Sequence, residues 1–398
     1  MKVAILTYHS SRNYGANLQA YSTYCRLRRD GFEPVVIDWN YFKTQAHDAK
    51  TNIHRRFVEE HMNLSRQCTT PREMAAELAR LGAKNIVMGS DALLNVTPFL
   101  KWVGLSKRTL LRFSKPSIAN IFPNAFWGDF ADFMPCDITM QMMSVSSQNA
   151  DFRKFFPSTK RRMGERLSKF AYIGVRDEWT RDMVAAVSGN KITPPITPDP
   201  VFAFEDNAEE IPAAEDVLAK YSLEKKSYVL MGFRDRVSPD AKWTEKFSAI
   251  VSANGLKTVA LPMPAKTDTL DYIFKNPPTP LEWYVLIKNA HSYVGNNMHP
   301  IVISIHNSVP FFVFDQYGIR KLVGKTEDST SKTYNLLARA GLLEFRTKAV
   351  PHDMTIPSPE SVWQKLESFD ISKSNSAAEE KRRDYFEMMK NIESNFIS

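Results

Sequence analysis

Cysteine, long apolar runs and, over one stretch, acidic residues are all scarce in this chain, and each shortage excludes something. Cys25, Cys68 and Cys136 are the only cysteines in 398 residues, odd in number and far apart. They supply neither a disulfide framework nor a cysteine metal site, and a reducing cytoplasm is the simplest home. No apolar run approaches the ~18 residues of a membrane-spanning helix, and Met1 to Leu6 is too short an apolar start for a secretion signal, reading instead as a first strand. Neither a G-x-G-x-x-G nor a P-loop pattern occurs, no carboxylate falls where it would complete a histidine metal site, and no recognition-helix, zinc-finger or ribonucleoprotein pattern is present. Metal and nucleic acid are therefore not expected. Between Asp91 and Asp129 there is no acidic residue at all.

What is present is an ordinary folded composition, 43% hydrophobic and 24% charged, long enough for two domains. Lysine and arginine number 52 against 44 acidic residues, a net charge of +8 that favours anionic partners. Val3 to Leu6, the helical spacing of Ala16, Ala20, Tyr24 and Leu27, and Pro34 to Asp38 make a β-α-β unit. Ligands of such parallel sheets sit at the carboxyl ends of the strands, so the loop Tyr8 to Asn17 is in a ligand-facing position. Thr70-Pro71-Arg72-Glu73 starts a helix, and Asn85 to Asp91, Ile138 to Val145 and Ala171 to Val175 read as further strands. Clustered prolines and acids place the domain boundary within about residues 190 to 225. A second β/α alternation runs from Tyr228 to Phe314, with a second capping box at Thr279 to Glu282, and two helices end the chain, one capped by Ser358-Pro359 and one from about Ser376 to Ser394. The layout is that of a GT-B fold: a Rossmann-like α/β domain over 1–200, a second over 225–350, a cleft between them, and terminal helices over 358–398 packing back across both.

His299 precedes Pro300, a residue suited to the start of a helix, where free N–H groups and the helix dipole favour an anion. A histidine there can hold or protonate a phosphorylated ligand, or can simply cap the helix or pack beneath the sheet. His306, among Ile301, Ile303 and Ile305, reads as packing. Arg176 emerges at the end of a strand, either as a clamp on phosphate or carboxylate or as a structural partner of Asp177. Arg234 repeats that geometry in the second half, as a cation facing the cleft or as part of a solvated turn. In Asn13-Tyr14-Gly15-Ala16-Asn17 a glycine lets backbone approach a ligand, and Asp91 after Gly89-Ser90 can be a base or a cap. In the acid-free stretch, Lys101, Lys107, Arg108, Arg112 and Lys115 mingle at helical spacing with Phe99, Trp102, Leu110, Leu111 and Phe113. That insertion, about 92–128, suits either an amphipathic lid or peripheral contact of 99–115 with the anionic inner face of a membrane.

In order along the chain, Asn13 to Tyr21, Val87 to Asp91, Asn124 to Gly128, Gly174 to Asp177, Thr197 to Pro200, Asn289-Ala290, Met298-His299, Val309 to Phe311, Tyr317 to Lys321 and Ser331-Lys332 resemble the polysaccharide pyruvyl transferase family over roughly residues 3 to 345. The resemblance implies a GT-B-like fold and transfer of the pyruvyl group of phosphoenolpyruvate, as co-substrate, to sugar hydroxyls of a surface polysaccharide precursor, with no metal or organic cofactor. The acceptor glycan can be lipid-linked. It implies His299 as acid or stabiliser on the phosphate side, Arg176, Arg234, Lys321 and Lys332 as anion clamps, and Asn13, Tyr14, Gly15, Asn17 and Asp91 facing the acceptor, with Asp91 as base. Two departures stand out. Many members carry arginine where this chain has Asn297, and Asp91-Ala92-Leu93-Leu94-Asn95 replaces an Asp-Gln-x-Trp-Asn run, which points to a different acceptor. A nucleotide-sugar glycosyltransferase of the same architecture and a non-catalytic sugar- or lipid-binding module are the alternatives.

Overall fold

A computed structural model describes residues 1–9, 11–39, 49–99, 103–104, 112–113, 116–148, 150–233, 238–261, 270–320, 326–350 and 353–397. The chain divides into two units, Met1–Ala208 with Asp384–Ser398, and Glu209–Arg383. The division falls within the proline-rich stretch.

In the first unit the elements are β1 (Lys2–Leu6), α1 (Tyr14–Arg29), β2 (Glu33–Val36), α2 (Ala49–His61), α3 (Pro71–Leu81), β3 (Asn85–Asp91), the short β4 (Val103–Gly104) and β5 (Arg112–Phe113), β6 (Thr139–Val145), α4 (Pro157–Leu167), β7 (Phe170–Val175), α5 (Glu178–Val187) and α6 (Phe204–Asn207). Five parallel strands lie in the order β2-β1-β3-β6-β7. Met74 and Leu78 of α3, Met163 and Leu167 of α4, and Met183, Val184 and Val187 of α5 join Leu6, Met88, Met142 and Val175 in one core. Helix α1 packs against β1, β2 and β3 and is buried from Tyr14 to Cys25. Thr70 caps α3 through a complete box, accepting from Glu73 N while the Glu73 carboxylate accepts from Thr70 N.

The acid-free stretch departs from its helical reading. Val103 pairs with Phe113 and Gly104 with Arg112 in an antiparallel ladder, so the backbone groups of these residues are satisfied across a strand pair. A short run of mixed basic and apolar residues fits either period, and non-local pairing decides. Lys101, Trp102, Lys107, Arg108, Leu110, Leu111 and Lys115 lie outside the described residues.

The second unit contains α7 (Ala214–Lys220), β8 (Tyr228–Gly232), α8 (Ala241–Ala253), β9 (Lys257–Ala260), α9 (Pro280–Lys288), β10 (Ser292–Gly295), α10 (Met298–His306), β11 (Phe311–Asp315), β12 (Ile319–Arg320), β13 (Thr326–Glu327), α11 (Lys332–Arg339), β14 (Arg346–Val350), β15 (Asp353–Met354), α12 (Pro359–Glu367) and α13 (Ile371–Glu393), the last continuing into the first unit. Its sheet runs β15-β14-β11-β10-β8-β9, parallel except at β15. Phe247 and Val251 of α8 and Val362 and Leu366 of α12 cover Val229, Val294 and Phe314. Ser358 caps α12, and Thr279 with Glu282 forms the second capping box. No described helix is long and apolar enough to cross a membrane.

Candidate functional site

Polar side chains gather at the carboxyl ends of both parallel sheets, and each unit builds its own cluster. In the first, β3 ends at Gly89-Ser90-Asp91. A Cβ on Gly89 would stand 2.0 Å from Met143 O, and its φ of +129° suits only glycine, so the strand must carry glycine here to lie against β6. Asp91, at φ +105°, presents a carboxylate that accepts from Ala92 N at 2.7 Å. From the next strand but one comes Arg176. Its Nη1 donates to Asp199 Oδ2 at 2.8 Å, and its Nη2 lies 3.8 Å from Asp91 Oδ1. Burial works against this cation, but the charges of Asp199, Asp91 and Asp177 and the Asp199 hydrogen bond overcome it and push its pKa up.

Asp199 is the centre of the cluster. It also accepts from Gln19 Nε2 at 2.5 Å and caps the 3-10 turn Pro200–Ala203 through Val201 N. Arg176 Nε and Nη2 and Gln19 Oε1 are buried with no hydrogen-bond partner among the described residues. Asp177 is turned elsewhere: it caps α5 by accepting from Thr180 N and holds Ser146 Oγ at 2.8 Å. Of the two readings of Arg176, the structure gives ion pairing, with Asp199 rather than Asp177 as partner, and a guanidinium only 4% exposed.

The loop after β1 is tied inward. Asn13 caps α1 by accepting from Gly15 N at 3.1 Å. Asn17 Nδ2 donates to His9 O at 2.5 Å, and its Oδ1 meets His54 Nδ1 at 2.5 Å. Tyr14 packs edge-on against His54. Both Asn17 groups are thus spent within the protein. His9 itself reaches Asp38 Oδ1 at 3.1 Å, and Arg55 holds the other oxygen at 2.9 Å. Burial raises the Asp38 carboxyl, but the His9 and Arg55 hydrogen bonds and charges more than offset it and hold it below its usual range. Beside Asp91, the Tyr8 phenol is pushed well above its usual pKa, by burial first and by the Asp91 charge second.

In the second unit the loop after β10 is strapped by side chains. Asn297 takes the cap position of α10 without capping it: its Nδ2 donates to Gly232 O at 3.1 Å and its N–H to Tyr293 Oη at 3.2 Å. Gln316 Nε2 donates to Asn296 O at 2.6 Å. His299 is then the second helical residue, 8% exposed, and Pro300 the third rather than the first. Proline is tolerated there because the first-turn N–H groups have no partner within the helix. The adjacent strand β11 ends at Asp315, whose Oδ1 accepts from Tyr317 N at 3.0 Å and whose Oδ2 accepts from Ser331 Oγ at 2.6 Å and Arg346 Nε at 2.7 Å. Burial raises the Asp315 pKa against the Arg346 charge. Through these bonds Asp315 brings one candidate, Lys332 at the head of α11, beside Tyr317, with Nζ 4.4 Å from the ring centroid. Arg234 and Lys321 lie outside the described residues. His306 is half-buried at the end of α10.

Asp199, Gln19, His9, Asp38 and Asp315 were not singled out from the sequence. Asp199 and Gln19 sat within quoted motifs and His9 within the loop after the first strand, but nothing local marks their pairings, because the side-chain partners lie 16 to 180 residues away.

Residues 142–316 match the family model for polysaccharide pyruvyl transferase. The resemblance read from the sequence is borne out over that span, which supports a transferase acting in polysaccharide modification. No curated protein matches the chain. Among solved structures, a putative UDP-N-acetylglucosamine 2-epimerase from Listeria monocytogenes is 9% identical, covering 99% of this chain and 96% of its own, at a TM-score of 0.54. Medicago truncatula UGT71G1 complexed with UDP-glucose is 10% identical, at 99% and 98% coverage and a TM-score of 0.54. Arabidopsis thaliana UGT89C1 complexed with UDP-L-rhamnose is 12% identical, at 99% and 97% coverage and 0.53. At such identities the likeness shows the fold alone: it is GT-B-like, α/β with parallel sheets and carboxyl-terminal helices.

Proposed function

We propose that the chain is a pyruvyl transferase that moves the pyruvyl group of phosphoenolpyruvate onto two hydroxyls of a sugar in a surface polysaccharide precursor. The observation that supports this most is that the matched residues 142–316 contain both Arg176, at the end of β7, and His299, in the first turn of α10. In this reaction C3 of the donor takes a proton, one sugar oxygen adds to C2, and the C2–O bond to phosphate breaks. A second hydroxyl then captures the oxocarbenium-like C2 and loses its proton, leaving a ketal and inorganic phosphate. No metal or organic cofactor enters the scheme.

In this reading His299 serves the phosphate side as acid or electrostatic stabiliser, in the first turn of α10 where the helix dipole favours an anion. Lys332, Arg234 and Lys321 supply positive charge for phosphate and carboxylate. Asp91 takes the proton of the acceptor hydroxyl. Arg176, committed to Asp199, acts by fixing Asp91 rather than by clamping the donor. With Asn17 and the Gly15 N–H engaged internally, Asn13 is the residue of that loop assigned to the glycan in this reading. Asn297 in place of an arginine removes one positive charge from the donor side.

The test is phosphate release on mixing the protein with phosphoenolpyruvate and a panel of free and lipid-linked oligosaccharides. His299→Ala is expected to slow release by ~10²–10⁴-fold, and Asp91→Asn comparably. Release unchanged in both variants would remove these residues from the mechanism. Thermal stabilisation by nucleotide sugars and none by phosphoenolpyruvate would favour a glycosyltransferase. That reading wants a carboxylate for the ribose, yet both oxygens of Asp315, the one ending β11, are already taken. Glycan binding without turnover would favour the non-catalytic module.

A further inference from the structure

We propose that the first unit docks on an anionic membrane surface through the face made by Phe99, Phe156 and the head of α4. Phe99 and Phe156 are 49% and 47% exposed, and their ring centroids lie 6.3 Å apart, so two large apolar side chains face water together. Exposed apolar clusters rimmed by charge mark contact surfaces. The rim here is cationic. From Arg153 to Lys169, seven residues are lysine or arginine and one, Glu165, is acidic, with Arg166 and Lys169 at the far end paired to Asp132. Arg153 and Lys154 share the single carboxylate of Asp151, which is buried beneath them, and remain 46% and 45% exposed. Arg161 is 74% exposed, with Glu165 at 3.3 Å. Arg162 is exposed, with its guanidinium 5.5 Å from the Phe122 ring centroid.

Aromatic rings flanked by lysine and arginine suit the lipid headgroup region, where the rings enter the acyl boundary and the cations meet phosphate. A nucleic acid would want bases stacked on parallel platforms. The Phe99 and Phe156 planes are instead inclined by 45°. The inference moves the membrane-facing surface from the 99–115 stretch to α4 and its amino-terminal flank, and it stands apart from the catalytic reading, because lipid binding needs no turnover.

The full chain should sediment with vesicles of phosphatidylcholine plus phosphatidylglycerol, release at high salt, and stay in solution with phosphatidylcholine alone. Arg161→Glu with Arg162→Glu should weaken that binding at least about tenfold, and Phe99→Ser with Phe156→Ser should weaken it as well. All four positions are exposed, so thermal melts should match the unaltered protein. No binding to the anionic vesicles, equal binding to both kinds, binding indifferent to both variant pairs, or displacement by single-stranded DNA would each overturn the proposal. The lipid and salt arms use the unaltered protein and decide it even where a variant misfolds.

Discussion

Helices α1 and α10 occupy similar places and are built in opposite ways. Each follows a parallel strand and is buried along nearly its whole length. Helix α1 buries Asn17, Gln19, Ser22 and Thr23 completely, and each makes a hydrogen bond: to His9 O, to Asp199, to Pro200 O at 2.9 Å and to Gln19 O at 2.9 Å. Helix α10 buries Met298, Ile301, Val302, Ile303 and Ile305, and its one buried hydroxyl, Ser304 Oγ, has no partner among the described residues. An apolar helix is held by volume and accepts other shapes of similar size. A polar one is held by pairing, since any other rotational setting strands donors and acceptors. The first unit therefore fixes the orientation of its strand-end groups by a network, whereas the second fixes His299 by packing below it and by the side-chain straps of Asn297 and Gln316 beside it.

Breaking the network at its charged centre should have the largest effect. Arg176→Ala leaves Asp199 and Asp91 buried without their cation, and removing one partner of a buried pair costs about 3–5 kcal/mol. Chemical denaturation should show that loss, and adding Asp199→Asn should recover part of it. A loss no larger than that of an exposed arginine would mean the cluster is solvated. Gln19→Leu, similar in bulk, removes one donor from Asp199 and should cost about 1–3 kcal/mol. The matching change in the other helix, Ile303→Met, should cost under about 1.5 kcal/mol. Equal costs for these two would erase the contrast between the helices.

The same contrast explains what could be read from the sequence. Both capping boxes, the alternation of strands and helices, and the strand ends at Asp91 and Arg176 were legible, because each is written within a few residues by spacing and cap chemistry. The apolar α10 was legible as buried for the same reason. Arg176 with Asp199, Gln19 with Asp199 and His9 with Asp38 were not, since a lone polar residue carries no period and its partner is supplied by the fold. Asp177, the nearest acid, was the natural partner to expect for Arg176. It was already spent on the helix it caps. The strand pair at Val103 and Phe113 escaped notice because two residues are too few to show a period of either kind.

A unit that buries polar groups should also be the one that feels pH, and Asp129 offers the finest test. Half-buried in the turn after Trp127, it is raised to about 6, chiefly by burial, with Arg166 opposing and the Asp132 charge adding. Its carboxyl therefore holds a proton more tightly folded than unfolded. Its contribution to stability is complete below the unfolded value near 4 and is lost as pH rises through about 6. Asp132 runs the other way: hydrogen bonds from Arg166 and Lys169 hold it at about 2 against a smaller cost of burial, so its contribution is lost only as pH falls below about 4 and does not vary across the same window. Asp129→Asn should accordingly gain on the unaltered protein between pH 4.5 and pH 7, by on the order of 1 kcal/mol once solvent screening of its exposed part is allowed for. Denaturation midpoints that run parallel for the two proteins across that range would show that Asp129 titrates alike in the folded and unfolded chain, and that burying it in this turn carries no electrostatic cost.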